Sequence, residues 1–219
     1  MAVTRLIFLG PPGSGKGTQA ARMSQHFGLK AMSSGDTLRN EIKVGSLVGQ
    51  QAGQYVRAGT LVPDEVVTRV MLSAISELPP ETGFILDGFP RTVPQAEALA
   101  AGLGQAGAAI DAVIDFQMDD RLVVERIVTR RVCSNCGATY NTRFFPPKAE
   151  GVCDTCGGKV IQRVDDREDV VRTRLETYRS QTAPLIEFYS SRGLLRTVDA
   201  SQEATVVEAQ VVGLIEVLG

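Results

Sequence analysis

Two groups of residues in this chain have types and spacings that could do chemistry. The first is Gly10-Pro11-Pro12-Gly13-Ser14-Gly15-Lys16-Gly17-Thr18. It fits the phosphate-loop pattern of Gly, four residues, Gly-Lys and a hydroxyl, except that Gly17 stands between Lys16 and Thr18. Glycines let successive backbone N–H groups turn inward as an anion nest. A helix starting there adds the partial positive charge of its N-terminus, and Lys16 adds a full one. The alternative is a glycine-rich turn between a strand and a helix, which has no use for both Lys16 and Thr18.

The second group is Cys133-Ser134-Asn135-Cys136-Gly137 and Cys153-Asp154-Thr155-Cys156-Gly157, two Cys-x-x-Cys-Gly knuckles with sixteen residues between Cys136 and Cys153. Two residues between thiolates let the chain wrap one corner of a tetrahedron, and the glycines suit the turn that follows. Four thiolates close the coordination sphere of a zinc ion. That points to a structural metal, since a catalytic one keeps a position open. A redox dithiol would need one such pair opening a helix.

These residues must be positioned by regular elements. Residues 3–9, 84–87, 112–116 and 194–198 are short apolar runs of buried-strand length. Helical patterns cover 15–27, 64–77, 94–101, 121–130, 167–191 and 201–218. Such alternation predicts an α/β fold with a doubly wound parallel sheet and ligands at the C-terminal ends of its strands. Gly10 and Asp87 fall at two of those ends. Two stretches interrupt the alternation: a polar, helix-prone one at 33–62 and a turn-rich one at about 131–166 that holds all four cysteines. The expected division is a core of residues 1–32, 63–128 and 167–219, an insertion at 33–62 and a zinc-binding lobe at 129–166. The lobe is too small to build a core, and metal binding can supply on the order of 10 kcal/mol toward its folding.

Composition bounds the rest. The 219 residues carry a net charge of −2, with 43% hydrophobic and 22% charged residues. No global field draws nucleic acid or an anionic membrane. No apolar run reaches membrane-span length, and no signal peptide is visible. The expectation is a cytoplasmic chain whose cysteines are reduced or metal-bound. Eighteen of the 23 basic residues are Arg, the side chain whose rigid fork suits phosphate oxygens. The single His26 lies far from every motif, at a helix end.

The chain resembles the adenylate kinase family, in the form with a zinc-bearing lid. The marks are the loop at 10–18, Ser33-Ser34-Gly35-Asp36-Thr37-Leu38-Arg39, Ala58-Gly59-Thr60-Leu61-Val62, the run from Phe84 through Leu86-Asp87-Gly88-Phe89-Pro90-Arg91-Thr92-Val93-Pro94 to Gln95, and Asp165-Asp166-Arg167-Glu168. In that family Gly17-Thr18 is the usual end of the loop. The resemblance implies a P-loop nucleotide kinase core with an AMP-binding insertion and a small lid. It implies phosphoryl transfer from Mg-ATP to AMP giving two ADP, by a monomer with no nucleic acid or membrane partner. It implies that Gly13, Ser14, Gly15, Lys16, Gly17 and Thr18 hold the ATP phosphates. Arg130, Thr139 and Tyr140 would reach ATP from the lid, Arg126 would lie against adenine, and Gln202 would contact adenine mainly through backbone. Here Asp199-Ala200-Ser201-Gln202 departs from the family's common Asp-Gly pattern.

For AMP the resemblance implies Ser34, Arg39, Thr60, Leu61, Val62, Gly88, Phe89, Pro90, Arg91 and Gln95, with Arg163 and Arg174 bridging both nucleotides. Lys16, Arg91, Arg130, Arg163 and Arg174 would carry the catalysis, and Asp87 would hold water on Mg²⁺. Asp165 and Asp166 fit either a hinge or the cap of the next helix. Two rival readings stand beside this one. One is a kinase for UMP or CMP. The other is a zinc-ribbon binding module, for which the lobe offers Arg143, Lys148 and Lys159 but also Glu150 and Asp154, with no basic run beside stacking aromatics.

Overall fold

The structure is a computed structural model that describes residues 4–218. Val3, expected in the first strand, lies outside the described residues. The described part of that strand is β1, Arg5–Leu9, buried from Leu6 onward. The chain turns through the glycine loop into α1, Lys16–Phe27. Gly15 caps this helix with φ at 91°, a left-handed conformation that a Cβ disfavours. β2, Lys30–Ser33, is a strand that the hydrophobic pattern does not announce: it is a four-residue edge strand with no fully buried position. The segment that follows forms α2, Ser34–Val44, and α3, Leu47–Ala58, whose N-termini are capped by Ser33 and Ser46.

Next come α4, Asp64–Ser76, β3, Phe84–Asp87, and α5, Val93–Gln105. α5 runs four residues past the expected end, through two glycines. β4, Ala112–Gln117, leads to α6, Asp120–Val128. The Asp119 side chain accepts from Arg121 N–H and caps α6, so the helix starts and ends earlier than its apolar pattern suggests. Arg130 is therefore the first residue of a strand, not the last of a helix. That strand is β5, Arg130–Cys133, which forms an antiparallel sheet with β6, Thr139–Asn141, and β7, Val160–Ile161.

A 3-10 turn at Val164–Asp166 returns the chain to α7, Glu168–Thr177. The single helix expected over 167–191 is broken. A π turn at Tyr178–Thr182 separates α7 from α8, Pro184–Ser190. Pro184 lacks an N–H, and its ring clashes with a regular carbonyl four residues back. The chain widens instead, and Ala183 N–H reaches Tyr178 O, five residues away, at 2.8 Å. β8, Leu195–Asp199, and α9, Ala204–Glu216, close the fold.

β1, β2, β3, β4 and β8 form one parallel sheet in the order β2-β3-β1-β4-β8. It has five strands where the apolar runs announce four. Helices cover both faces. Phe8, Ile114 and Phe116 meet Met23 of α1 and Val211 of α9 on one side. Ile7, Leu9 and Leu86 meet Met71, Leu99 and Leu185 of α4, α5 and α8 on the other. Each fully buried side chain of this size contributes about 1.5–3 kcal/mol. This is the doubly wound α/β arrangement, and its reversal of strand order beside β1 puts a crevice at the end of the glycine loop. The three-stranded lobe, in contrast, has a small cluster of Cys133, Tyr140 and Cys153, with Ala138 and Val160 against them and Val132 buried beside it on β5.

α2 and α3 approach each other closely at Gly49. A Cβ there would lie 2.1 Å from the carbonyl oxygen of Glu41. Gly49→Ala should therefore push the two helices apart and cost about 1–3 kcal/mol. Urea unfolding of the purified variant measures it; an unchanged midpoint would contradict the close packing.

Candidate functional site

The site is built where β1, β3 and β4 end. Leu9 pairs with Asp115 and Phe8 with Asp87, so both carboxylates border the start of the glycine loop. The loop is held against α6: a Cβ on Gly13, whose φ is 79°, would lie 2.6 Å from Ile127 Cγ1. Lys16 curls into the loop. Its Nζ donates to Gly10 O at 2.8 Å, Pro11 O at 2.7 Å and Ser14 Oγ at 3.2 Å. Burial pushes the Lys16 ammonium down to about 8, and Arg91 and Arg174 push the same way against Asp87 and Asp115. Gly17 and Thr18 are exposed at the mouth. Asp87 is half-buried, with no hydrogen bond or ion pair among the described residues. Its Oδ2 lies 3.2 Å from where a Gly17 Cβ would stand. A carboxylate that free, beside the loop, fits the water shell of a Mg²⁺ ion.

Beside the loop lies a cleft between β3, α2 and α3. Ser34, Arg39, Thr60, Leu61, Val62, Gly88, Arg91, Gln95 and Arg174 line it. Phe89 and Pro90 are buried at its back. The cleft's chemistry is set by a hydrogen-bond chain. Asp64 at the start of α4 accepts from Thr92 Oγ1 at 2.7 Å and Gln95 Nε2 at 2.8 Å. Gln95 Oε1 in turn accepts Arg91 N–H at 2.7 Å. Arg91 Nε donates to Gly88 O at 2.8 Å, so Nη1 and Nη2 stay free. Burial holds the Arg91 guanidinium below its ordinary value. Neither Lys16 nor Arg91 has a carboxylate within ion-pair range among the described residues. Two half-buried cations without an ion-pair partner are a place where an anion is stabilised.

The remaining arginines are pinned. Asp166, 0% exposed, takes Arg130 in a two-point contact through Nε, at 2.9 Å, and Nη2. Asp165, also buried, accepts from Arg174 Nη1 at 3.2 Å and faces Arg39 Nη1 at 3.7 Å. Arg174 Nη1 also reaches the Asp165 carbonyl at 2.9 Å. Asp36 pairs with Arg39 at 2.6 Å and meets Arg163 at 3.5 Å. Burial opposes the charge on Asp165, but Arg174 and Arg39 outweigh it and hold the carboxyl below the usual range. Asp165 and Asp166 are thus neither a bare hinge nor a helix cap. They are buried anchors for guanidinium groups, a role that spacing alone does not reveal.

Asp115 is a further residue the sequence patterns pass over. It is 1% exposed on β4 beside the end of β1, its Oδ1 has no partner among the described residues, and burial raises its pKa. Only an acid within an otherwise apolar strand could have singled it out. Arg126 Nη1 and Nη2 donate to Ala200 O and Ser201 O, which joins α6 to the loop after β8. Gln202 is exposed there, its side chain turned back to Asp199. Thr139 is exposed on β6. Tyr140 is buried and faces the cysteines instead of the cleft.

The four sulfurs come together as a set. All lie within 4.8 Å of one another, with Cys133–Cys156 and Cys136–Cys153 at 3.5 Å. A tetrahedral zinc with Zn–S bonds near 2.3 Å needs sulfurs about 3.8 Å apart. Backbone N–H groups of Asn135 and Cys136 point at Cys133 Sγ at 3.4 and 3.5 Å. The Tyr140 hydroxyl pulls the Cys153 thiol down, toward the thiolate that a metal requires, while at Cys136 the Ala138 backbone pulls down but hydrogen bonds from the neighbouring sulfurs outweigh it and push the thiol up. These residues fit a closed four-sulfur zinc centre.

No helix among the described residues is long and apolar enough to cross a membrane. Comparison with known proteins agrees with the geometry. The family model described as adenylate kinase matches residues 8–194. The adenylate kinase of Methanosarcina barkeri is 47% identical over 198 residues, which cover 90% of this chain and 92% of that protein. That of Moorella thermoacetica is 48% identical, with 90% and 91% covered. That of Archaeoglobus fulgidus is 46% identical over 211 residues, with 96% and 97% covered. The loop, the two-sided crevice and the paired knuckles sit within a similarity that spans nearly every residue, and the chain belongs to the adenylate kinase family.

Proposed function

We propose that this enzyme transfers the terminal phosphoryl group of ATP to AMP and gives two ADP, with the glycine loop as donor site and the cleft at Arg91 as acceptor site. One observation carries the reading: Lys16 of the glycine loop and Arg91 beyond β3 are both desolvated, are close enough for their charges to act on each other, and have no carboxylate within ion-pair range among the described residues. A single anion site needs one such cation. Two, on separate walls, suit two phosphates.

Phosphoryl transfer asks for alignment and charge stabilisation more than for covalent help. The second pKa of a phosphate monoester is near 6, so AMP is mostly dianionic at pH 7. Its oxygen attacks the γ-phosphorus as it stands, the bond to the ADP leaving oxygen breaks, and no general base is required. Repulsion between the nucleotides is the larger barrier. Unit charges about 4 Å apart interact by about 4 kcal/mol at an effective dielectric near 20. Lys16, Arg39, Arg91, Arg130, Arg163 and Arg174 offset that repulsion. Mg²⁺ bound with ATP would add charge stabilisation, with Asp87 accepting from its water and Thr18 nearby. The acceptor base would lie against Thr60 to Val62 and Gln95. The zinc lobe would close over ATP, bringing Arg130 and Arg163, and the α2–α3 arm over AMP. Closure excludes water, the competing acceptor.

Incubation with ATP, Mg²⁺ and AMP should yield ADP, and metal analysis should return about one zinc per chain. Arg91→Ala should lower kcat/KM by about 1,000-fold or more, while ATP binding persists. A higher kcat/KM for UMP than for AMP would overturn the acceptor assignment. Size-exclusion chromatography should return the monomer that the resemblance implies.

The pKa of Lys16 gives a separate test. An incoming phosphate favours the ammonium, so binding raises the Lys16 pKa from about 8 and takes up a proton. ATP affinity should be level below pH 8 and fall by about tenfold per pH unit above it, until the pKa in the complex is reached. Calorimetry at pH 8.5 in buffers of different ionisation enthalpy measures the uptake; proton release would contradict the assignment.

A further inference from the structure

Tyr140 is a buried polar side chain packed among the cysteines of the zinc lobe. Its hydroxyl has two close hydrogen bonds among the described residues, and the Thr155 side chain acts on its oxygen as a further donor. The Asp154 backbone N–H points at its oxygen at 2.8 Å, and Cys153 Sγ lies 3.3 Å away. A phenol carries one proton. The backbone N–H can only donate, so the tyrosine oxygen accepts there. Its own proton is left for the sulfur.

We propose that Tyr140 is a positioning residue of the metal centre, its O–H donating to the Cys153 thiolate and locking the second knuckle to β6. The inference rests on the reading of the four cysteines as a metal site. Four thiolates around a divalent ion leave two net negative charges. Cys136 and Cys156 are exposed, so water can share their charge. Cys133 and Cys153 are buried, and burial of charge without a donor is costly. Cys133 meets that cost with the N–H groups of Asn135 and Cys136. Cys153 has backbone donors from Thr155 and Cys156, and its one side-chain donor of O–H type among the described residues is the Tyr140 hydroxyl, 3.3 Å from Sγ. Hydrogen bonds of this kind orient metal ligands and tune them. With its proton committed to sulfur, the Tyr140 hydroxyl cannot also donate to a nucleotide under the lid.

The test uses full-length Tyr140→Phe, which keeps the ring and removes only the donor. With zinc bound, the variant should lose metal to a chromogenic chelator about 10- to 100-fold more readily than wild type. With cobalt in place of zinc, its thiolate-to-cobalt absorption should move to lower energy, because a sulfur relieved of a hydrogen bond gives up electron density more easily. At saturating zinc, KM for ATP should stay within about twofold. Asp154→Ala is the control for general loosening: it breaks the 3.0 Å contact of Asp154 Oδ1 with Lys148 N–H but keeps the backbone donor and the tyrosine. Its cobalt spectrum should match wild type. An unchanged spectrum and unchanged zinc retention in Tyr140→Phe would overturn the proposal. So would a raised KM for ATP with metal retention intact, which would assign the hydroxyl to the nucleotide. Wild-type protein free of metal would overturn the metal reading itself, and this inference with it.

Discussion

The structure turns on one electrostatic problem: six cationic side chains must be held at the end of one sheet while the pocket they surround stays open for anions. Like charges this close repel, and burial raises the cost of each. The effect is visible in Lys16, pushed down to about 8, and in Arg174, pushed down to about 10, in both chiefly by burial. Asp165 and Asp166 answer it. They are buried at the return of the lid and hold Arg130, Arg174 and the edge of Arg39. Arg39 and Arg163 share Asp36. Lys16 and Arg91 are left without an ion pair among the described residues, and the proposed function gives each of them a phosphate.

The fold follows from that demand. A parallel doubly wound sheet brings the ends of β1, β3 and β4 to one edge, so a loop, an acceptor cleft and two carboxylates converge without long connections. The core stays rigid because both faces of the sheet are covered. The parts that would close are grafted on: the α2–α3 arm and the three-stranded lobe. The arm is held by a close backbone approach at Gly49. The lobe buries too little apolar surface to hold itself, and four converging sulfurs supply what a core would. A metal-stapled lobe can move as one body and carry Arg130 and Arg163 with it.

Features set by local chemistry were legible in the sequence. The glycine loop, the knuckles and the buried strands each follow from a short run of residue types, and each is where its pattern places it. Features set by burial were not. β2 is an edge strand without a fully buried residue, so no apolar run marks it. The break between α7 and α8 had a signal in Pro184, but a helical pattern continues on both sides of it. Asp165 and Asp166 read as a hinge or a helix cap, and Asp115 goes unmarked, until the structure shows all three with almost no exposure. Tyr140 looks from the sequence like a lid residue facing nucleotide, and the side chain turns the other way.

The excess of Arg over Lys then has a structural reason. A guanidinium has five donors in a fixed plane; an ammonium has three on a flexible stem. Arg130 spends Nε and Nη2 on Asp166 and keeps Nη1. Arg91 spends Nε on Gly88 O and keeps both Nη groups. Arg174 gives Nη1 to Asp165 and keeps Nη2. Each is anchored by the protein through one edge and keeps donors on another, and Arg91 and Arg174 line the cleft. A lysine in the same place would have to choose between its anchor and its phosphate. Lys16 is the exception that fits: its anchors are neutral loop oxygens, which an arriving phosphate replaces with a stronger partner without leaving a buried carboxylate alone.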